Sequence, residues 1–165
     1  MQKPGPGGTT DPMSTTYTVE RTRTLEEPPE RVRPLIEDFH SWPRWSPWED
    51  IDPAMQRTYG GPESGPGSTY AWSGNRKAGR GRMEIRTVTD DRIDIALHFD
   101  KPFTSDNDLT FLLESRGTGT QVTWRMTGSK PLLMRLAGPL VNMEKLVGKD
   151  FERGLERLAV VAARR

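Results

Sequence analysis

The chain has 165 residues, of which 33% are apolar and 28% charged, so we expect one domain with a lean core whose apolar side chains concentrate on few faces. Its formal net charge of +1, from 24 basic and 23 acidic residues, gives no electrostatic reason to expect nucleic acid or an anionic membrane as a partner. Cysteine is absent, which excludes disulfide scaffolds, cysteine nucleophiles and thiolate metal sites.

Residues 1–13 are rich in Gly and Pro and show no hydrophobic periodicity. This composition predicts a disordered tail, followed by a single domain over residues 14–165. Met13 is an alternative to Met1 as the native start. The tail has no apolar segment typical of a secretory signal, and no run in the chain has the apolar length of a membrane span. We therefore expect a soluble, cytoplasmic protein that does not insert into membranes.

The first predicted strand covers residues 15–25, which are rich in Thr, Val and Tyr. Alternation places Arg21 and Arg23 on the same strand face as three apolar side chains, those of Tyr17, Val19 and Leu25. Two interpretations stay open for the arginines. Either they reach past the core, or they bring positive charge into a pocket.

A first helix is expected after Pro28-Pro29, with apolar residues at helical spacing up to about His40. Pro34 should kink this helix, because proline lacks the backbone donor and its ring clashes with the preceding turn. Trp42, Trp45 and Trp48 then follow within seven residues, interrupted by prolines. These indoles fit either the mouth of a cavity or a core between the first helix and the sheet.

Six further strands are predicted between turn signals, at residues 54–59, 68–73, 80–89, 92–100, 105–114 and 121–127. Each of these segments alternates apolar and polar residues, so each strand has one apolar face. The short connections favour antiparallel neighbours. With the first strand, this gives a curved antiparallel sheet of about seven strands.

The C-terminal region is predicted to be helical, because apolar residues recur at steps of three or four from Leu133 to Ala162. Gly138-Pro139 should interrupt it, leaving a short helix up to about Ala137 and a long helix that ends near Arg164. Only the long helix has the length and the apolar stripe needed to fill the concave face of the sheet.

This order of elements, with several short motifs, resembles the START-like superfamily, specifically the polyketide cyclase/dehydrase-type proteins. The motifs are Glu27-Pro28-Pro29-Glu30-Arg31-Val32, the stretch from Asp38 to Trp48, Tyr70-Ala71-Trp72-Ser73-Gly74, Gly81-Arg82-Met83-Glu84-Ile85, Lys101-Pro102-Phe103, Gly119 to Trp124 and Val147 to Glu152. The resemblance implies an α+β helix-grip fold, in which a curved antiparallel sheet wraps around a long C-terminal helix and leaves an internal cavity for an apolar or aromatic molecule. It implies no particular reaction, because one fold hosts many functions.

The cavity candidates are aromatic and Met side chains on the apolar strand faces and on the C-terminal helices, which together form an adaptable apolar lining. They are Trp45, Tyr70, Trp72, Met83, Phe111, Trp124, Met126, Leu140 and Met143. Plain core packing is the alternative for each of them, since periodicity does not separate a cavity wall from a core.

Catalytic candidates are few. Arg21 and Arg23 are the weak candidates, as groups that would orient or polarise a substrate. His40 and His98 have no companions at metal-ligand spacing, so neither a metal site nor a cofactor is expected. The acidic residues Glu49, Asp50 and Asp52 are most simply a solvated turn.

The leading functional hypothesis is the binding of a hydrophobic or aromatic small molecule, lipid-like or polyketide-like, between the sheet and the C-terminal helix. The first alternative is a polyketide aromatase/cyclase, which would need internal arginines. The second is a protein-interaction module of the co-chaperone kind, which would need an exposed apolar patch and a filled core.

Overall fold

The structure is a computed structural model that describes residues 16–129 and 143–164. Seven strands are present: β1 Thr16–Leu25, β2 Gln56–Gly60, β3 Thr69–Ser73, β4 Arg80–Val88, β5 Arg92–Lys101, β6 Ser105–Arg116 and β7 Gly119–Ser129. Their bounds lie within two residues of the predicted ones. The proposed tail over residues 1–13 and the short helix ending near Ala137 fall outside the described residues.

The strands form one antiparallel sheet in the order β1-β7-β6-β5-β4-β3-β2. Connections of only two or three residues join β4 to β5, β5 to β6 and β6 to β7, as expected for antiparallel neighbours. In the turn between β6 and β7, Gly117 has φ of +59°, a conformation that favours glycine because it has no Cβ. The fold is the predicted α+β arrangement, with β1 and β2 as its two edges.

The first helix is shorter than expected. α1 spans Pro29–Glu37 and contains Pro34, and a separate 3-10 helix follows at Phe39–Arg44. The prediction of a helix up to His40 is therefore wrong in its end point. The chain leaves the helical conformation at Asp38, which is extended and whose side chain accepts a hydrogen bond of 2.9 Å from the backbone N–H of His40 at the start of the 3-10 helix.

The C-terminal helix α2 spans Met143–Ala163. Its buried residues recur at steps of three or four and pack against β1 and α1, which confirms the predicted apolar stripe. They are Gly148, Phe151, Gly154, Leu155, Leu158, Val161 and Ala162. Neither α1 nor α2, nor the other helical turn in the described ranges, is long and apolar enough to cross a membrane.

Candidate ligand-binding pocket

A pocket with a volume of about 270 Å³ lies between the sheet and the first two turns of α2. Met143 and Val147 cover it from the helix side, and Trp42 and Trp48 close it from the segment after α1. Strands contribute the remaining wall, which is mostly aromatic, Met and Leu. Described residues from opposite ends of the chain thus enclose one apolar space.

Strand register arranges the wall in rows that cross the sheet. The outer row contains Trp72, Gly81, Phe99 and Ser105. The middle row contains Tyr70, Met83, Leu97, Asn107, Gly128 and Tyr17. The inner row contains Ile85, Ile95, Leu109, Met126 and Val19, and Leu109 and Met126 are its members that line the pocket. Successive rows are two residues apart along each strand, which corresponds to about 6.6 Å.

Glycine provides space in the outer row. A Cβ on Gly81 would lie 2.6 Å from the Trp72 ring, far inside the contact distance of two carbon atoms. The Trp72 indole therefore lies over Gly81 of β4, and its Nε1 donates a hydrogen bond of 3.0 Å to the carbonyl of Ala78, in the turn before β4. This places an aromatic side wall at the open end of the pocket.

A fourth row lies beyond the pocket and is solidly packed. This aromatic row contains Ile93, Phe111, Trp124 and Arg21. The Trp124 ring stacks on Phe151 of α2 with centroids 4.1 Å apart, and the Trp45 ring meets Trp124 edge to face at 5.6 Å. The filled half of the sheet thus lies under Phe151 of α2, and the open half lies under the first two turns of that helix.

Of the predicted cavity residues, Tyr70, Trp72, Met83, Met126 and Met143 line the pocket. Trp45, Phe111 and Trp124 do not line this pocket. All three are fully buried and absent from the lining, because Phe111 and Trp124 belong to the aromatic row and Trp45 covers that row. Leu140 lies outside the described residues.

Trp45 and Trp42 have a structural reason to be buried. Their Nε1 atoms donate hydrogen bonds of 2.9 Å to the carbonyls of Leu35 and Ile36. These carbonyls belong to the last turn of α1, where a helix leaves its C=O groups without intrahelical partners. The two indoles therefore cap α1 and fill the core together.

A buried polar cluster lies on the otherwise apolar wall. Glu49 is only 9% exposed and lines the pocket beside Tyr70. The Tyr70 hydroxyl donates to Glu49 Oε1 at 2.8 Å, and Arg57 Nε donates to Glu49 Oε2 at 2.6 Å. Arg57 also donates to the Glu49 carbonyl at 2.7 Å. The expectation of a solvated acidic turn is wrong for Glu49 and for Asp52, which is equally buried.

Both tyrosines on the middle row stay protonated at neutral pH. Burial, followed by the nearby Glu49 carboxylate, raises the pKa of Tyr70. Burial also raises the pKa of Tyr17 to about 12, and the Tyr17 hydroxyl donates to Asn107 Oδ1. Because each hydroxyl already donates a hydrogen bond to a protein acceptor, it can act only as a hydrogen-bond acceptor toward a ligand.

The two arginines proposed as catalytic candidates do not line the pocket. Arg21 lies on the aromatic row and forms ion pairs with Glu144 and Glu152 of α2, and a Cβ on Gly148 would lie 2.1 Å from its Nη2. Arg21 therefore clamps α2 to β1. Arg23 is exposed.

The histidines also lie away from the pocket wall. His40 stacks on Tyr59 with centroids 4.2 Å apart and contacts Asp38. His98 forms contacts with Asp106 and Asp100 at 2.6 and 3.3 Å. Within the described ranges, no group of three or more His, Asp or Glu side chains is arranged to hold a metal ion.

Sequence reasoning missed several residues of the pocket. Ser46, which follows the 3-10 helix, faces the pocket together with Glu49. Trp48 also lines the pocket, and it is one of the three indoles expected at either a cavity mouth or a core. Lys77 and Lys101 lie at its open end. The one available signal for Glu49 was its position between Trp48 and Ile51, since apolar neighbours on both sides indicate a partly buried segment.

Comparison with known proteins gives a match to the family described as polyketide cyclase/dehydrase and lipid transport, over residues 16–163. A search of proteins with curated function gives no match.

Solved structures with the same fold include protein CV1439 from Chromobacterium violaceum, at 17% identity and a TM-score of 0.64, covering 90% of this chain and 98% of that one. Protein Mll3558 from Rhizobium loti is 23% identical with a TM-score of 0.63, covering 88% and 96%. Ara h 8.0201 is 14% identical with a TM-score of 0.60, covering 89% and 97%. The seven-stranded sheet, the C-terminal helix and the family match agree, and the chain belongs to the START-like polyketide cyclase/dehydrase family.

Proposed function

We propose that this protein binds a hydrophobic or aromatic small molecule in the pocket between the sheet and α2. The observation that carries the proposal is a space of about 270 Å³ whose wall is mostly aromatic, Met and Leu. Concave apolar pockets with a few polar groups are the usual form of small-molecule sites. Burial of the ligand's apolar surface would supply most of the affinity, at about 25 cal/mol per Å².

The size of the pocket limits the ligand. A cavity of about 150 Å³ in another protein holds one benzene ring, so 270 Å³ suits a molecule of about two fused rings or a short branched chain. The three rows that form the wall span about 13 Å from the outer to the inner row. A bicyclic aromatic fits both dimensions, whereas a long acyl chain exceeds them.

The Tyr70 hydroxyl is the group best placed to orient the ligand. Its proton is engaged by Glu49, so a ligand hydroxyl or N–H can donate to a lone pair of its oxygen. The raised pKa of Tyr70 also argues for a binding role, since a general acid at neutral pH needs a pKa near the working pH. We therefore assign Tyr70 to ligand orientation.

The two other hypotheses have less support. The aromatase/cyclase alternative depended on internal arginines, and neither Arg21 nor Arg23 lines the pocket. The interaction-module alternative needs an apolar surface patch. Among the described residues, the strongly exposed large apolar side chains are Leu146 and Val160, which are 14 residues and therefore about 21 Å apart along α2.

Two measurements test the proposal. Native mass spectrometry of the purified protein should show a bound apolar compound, or a one-to-one complex after addition of naphthalene-2-carboxamide, a neutral bicyclic probe. At about 0.3 kcal/mol for each of its roughly 13 non-hydrogen atoms, this probe should bind with a Kd of about 1 mM or tighter. Ligand-observed NMR titration covers that range.

Leu97→Trp provides the critical variant, because Leu97 lines the pocket and an indole at this position would fill it. We expect this variant to lose probe binding. The control Ala96→Trp introduces an indole at the adjacent residue of β5, on the opposite face of the sheet, and should retain probe binding. Equal binding by both variants, or no binding by the wild type, would refute the proposed function.

A further inference from the structure

The open end of the pocket carries two lysines. Lys101, the last residue of β5, pairs with Arg80 one position beyond the outer row. Lys77 belongs to the turn between β3 and β4. This turn touches the end of β5, since a Cβ on Gly79 would lie 2.4 Å from the Lys101 carbonyl oxygen. Two sequence segments thus bring both lysines to one rim, and both residues line the pocket.

Neither ammonium group is engaged by a carboxylate of the described residues. Across residues 16–129 and 143–164, the ion pairs involve other cations, and neither lysine is among the residues that have further partners. The nearby Asp100 lies 3.7 Å from Arg80 and 3.3 Å from His98. Two positive charges at the rim are therefore available to a ligand.

The interior of the pocket does not offset this positive charge. Glu49 is the acidic residue of the lining, and Arg57 contacts its carboxylate at 2.6 Å. The Glu49–Arg57 ion pair therefore contributes almost no net charge to the pocket. Exposure also increases along β3, from the buried Tyr70 through the half-buried Trp72 to the exposed turn that contains Lys77. The pocket is thus apolar at depth and cationic at its mouth.

We propose that the ligand is an amphipathic organic anion, whose apolar or aromatic body enters the pocket and whose carboxylate, sulfonate or phosphate stays at the rim beside Lys77 and Lys101. This inference rests on the proposed function and adds the charge and orientation of the ligand. An anion at the rim keeps most of its hydration, so it gains Coulomb attraction without the cost of burying a charge.

The test compares two probes that differ in charge but hardly in shape, 2-naphthoate and naphthalene-2-carboxamide. Each exposed ion pair changes affinity by up to about five-fold, so the wild type should bind the carboxylate roughly three- to twenty-fold more tightly than the amide. Higher ionic strength should reduce this preference, because salt screens exposed charges. Ligand-observed NMR titration gives both dissociation constants.

The variant Lys77→Gln/Lys101→Gln should bind the two probes with about equal affinity, because the charge difference between the probes no longer meets a positive rim. The matched control is Arg82→Gln/Arg86→Gln, which removes the same charge from two exposed residues of β4 outside the lining. This control should keep the preference for the carboxylate.

The outcomes separate the two proposals. If the amide binds as tightly as the carboxylate, or if the carboxylate preference survives loss of both lysines, the anion inference is wrong and the pocket assignment stands. If neither probe binds the wild type, the proposed function is wrong and the anion inference falls with it.

Discussion

Tyr70→Phe tests the buried polar cluster with the smallest possible change. The substitution removes one oxygen atom and keeps the ring that packs between Phe39 and Trp72. Glu49 Oε1 then loses its 2.8 Å hydrogen bond at a site that is only 9% exposed. A hydrogen bond to a charged group contributes about 1.5–3 kcal/mol, compared with about 0.5–1.5 kcal/mol for a bond between neutral groups.

The remaining partner of Glu49 limits this loss. Arg57 still contacts Oε2 at 2.6 Å, so the carboxylate does not become an unpaired buried charge, which would cost about 3–5 kcal/mol. We expect Tyr70→Phe to reduce the free energy of unfolding by about 2 kcal/mol. Tyr17→Phe is the matched control, because the Tyr17 hydroxyl donates to the neutral amide of Asn107, and it should lose about 1 kcal/mol.

Equilibrium urea unfolding, monitored by Trp fluorescence, measures both variants. The m-value should stay unchanged, since neither substitution alters the surface exposed on unfolding. A loss below about 0.5 kcal/mol for Tyr70→Phe, or equal losses in the two variants, would refute the reasoning that the charge of Glu49 strengthens the Tyr70 bond.

Two further predictions concern α2 and the tyrosines. Gly154→Ala should destabilise the protein by about 1–3 kcal/mol more than Gly148→Ala in urea unfolding. A Cβ on Gly154 would lie 2.8 Å from the rigid Trp124 ring, whereas a Cβ on Gly148 would meet the movable end of the Arg21 side chain. Equal losses in the two variants would contradict this prediction. All three tyrosines have a raised pKa, that of Tyr17 reaching about 12, so the folded protein binds more protons than the unfolded chain above pH 10 and its stability should fall as the pH rises from about 10 through 12. In a pH titration followed by phenolate absorbance, the tyrosines should ionise at higher pH in the folded protein than in urea. Coincident titration curves would disprove the prediction.

The structure divides the concave face of the sheet into two halves with different roles. The aromatic row is sealed by Trp45 and Phe151, and it supplies a rigid core under α2. The middle and inner rows contribute Met83, Leu97, Leu109 and Met126 to the wall of a space of about 270 Å³. Since Met side chains are flexible, this half can adapt to a ligand while the aromatic half preserves the fold.

Sequence patterns alone were enough to predict the order of elements, the sheet of about seven strands and the apolar stripe of α2. Strict alternation identifies the inward face of a strand, which is why Tyr70, Trp72, Met83 and Met126 were correctly placed on the concave side. The absence of metal-ligand spacing and the scarcity of histidine were also visible without a structure.

Sequence patterns do not show which inward residues border empty space, because that depends on contacts between distant segments. Phe111 and Trp124 share a sheet face with Leu109 and Met126, and each lies only two residues away along its strand. Trp45 and Phe151 nevertheless cover the first pair, whereas the second pair faces the pocket. Periodicity fixes the face of a residue, whereas the packing of distant segments decides whether the space above it is filled. The same holds for Glu49, whose burial depends on Arg57 and Tyr70 arriving from two other segments of the chain.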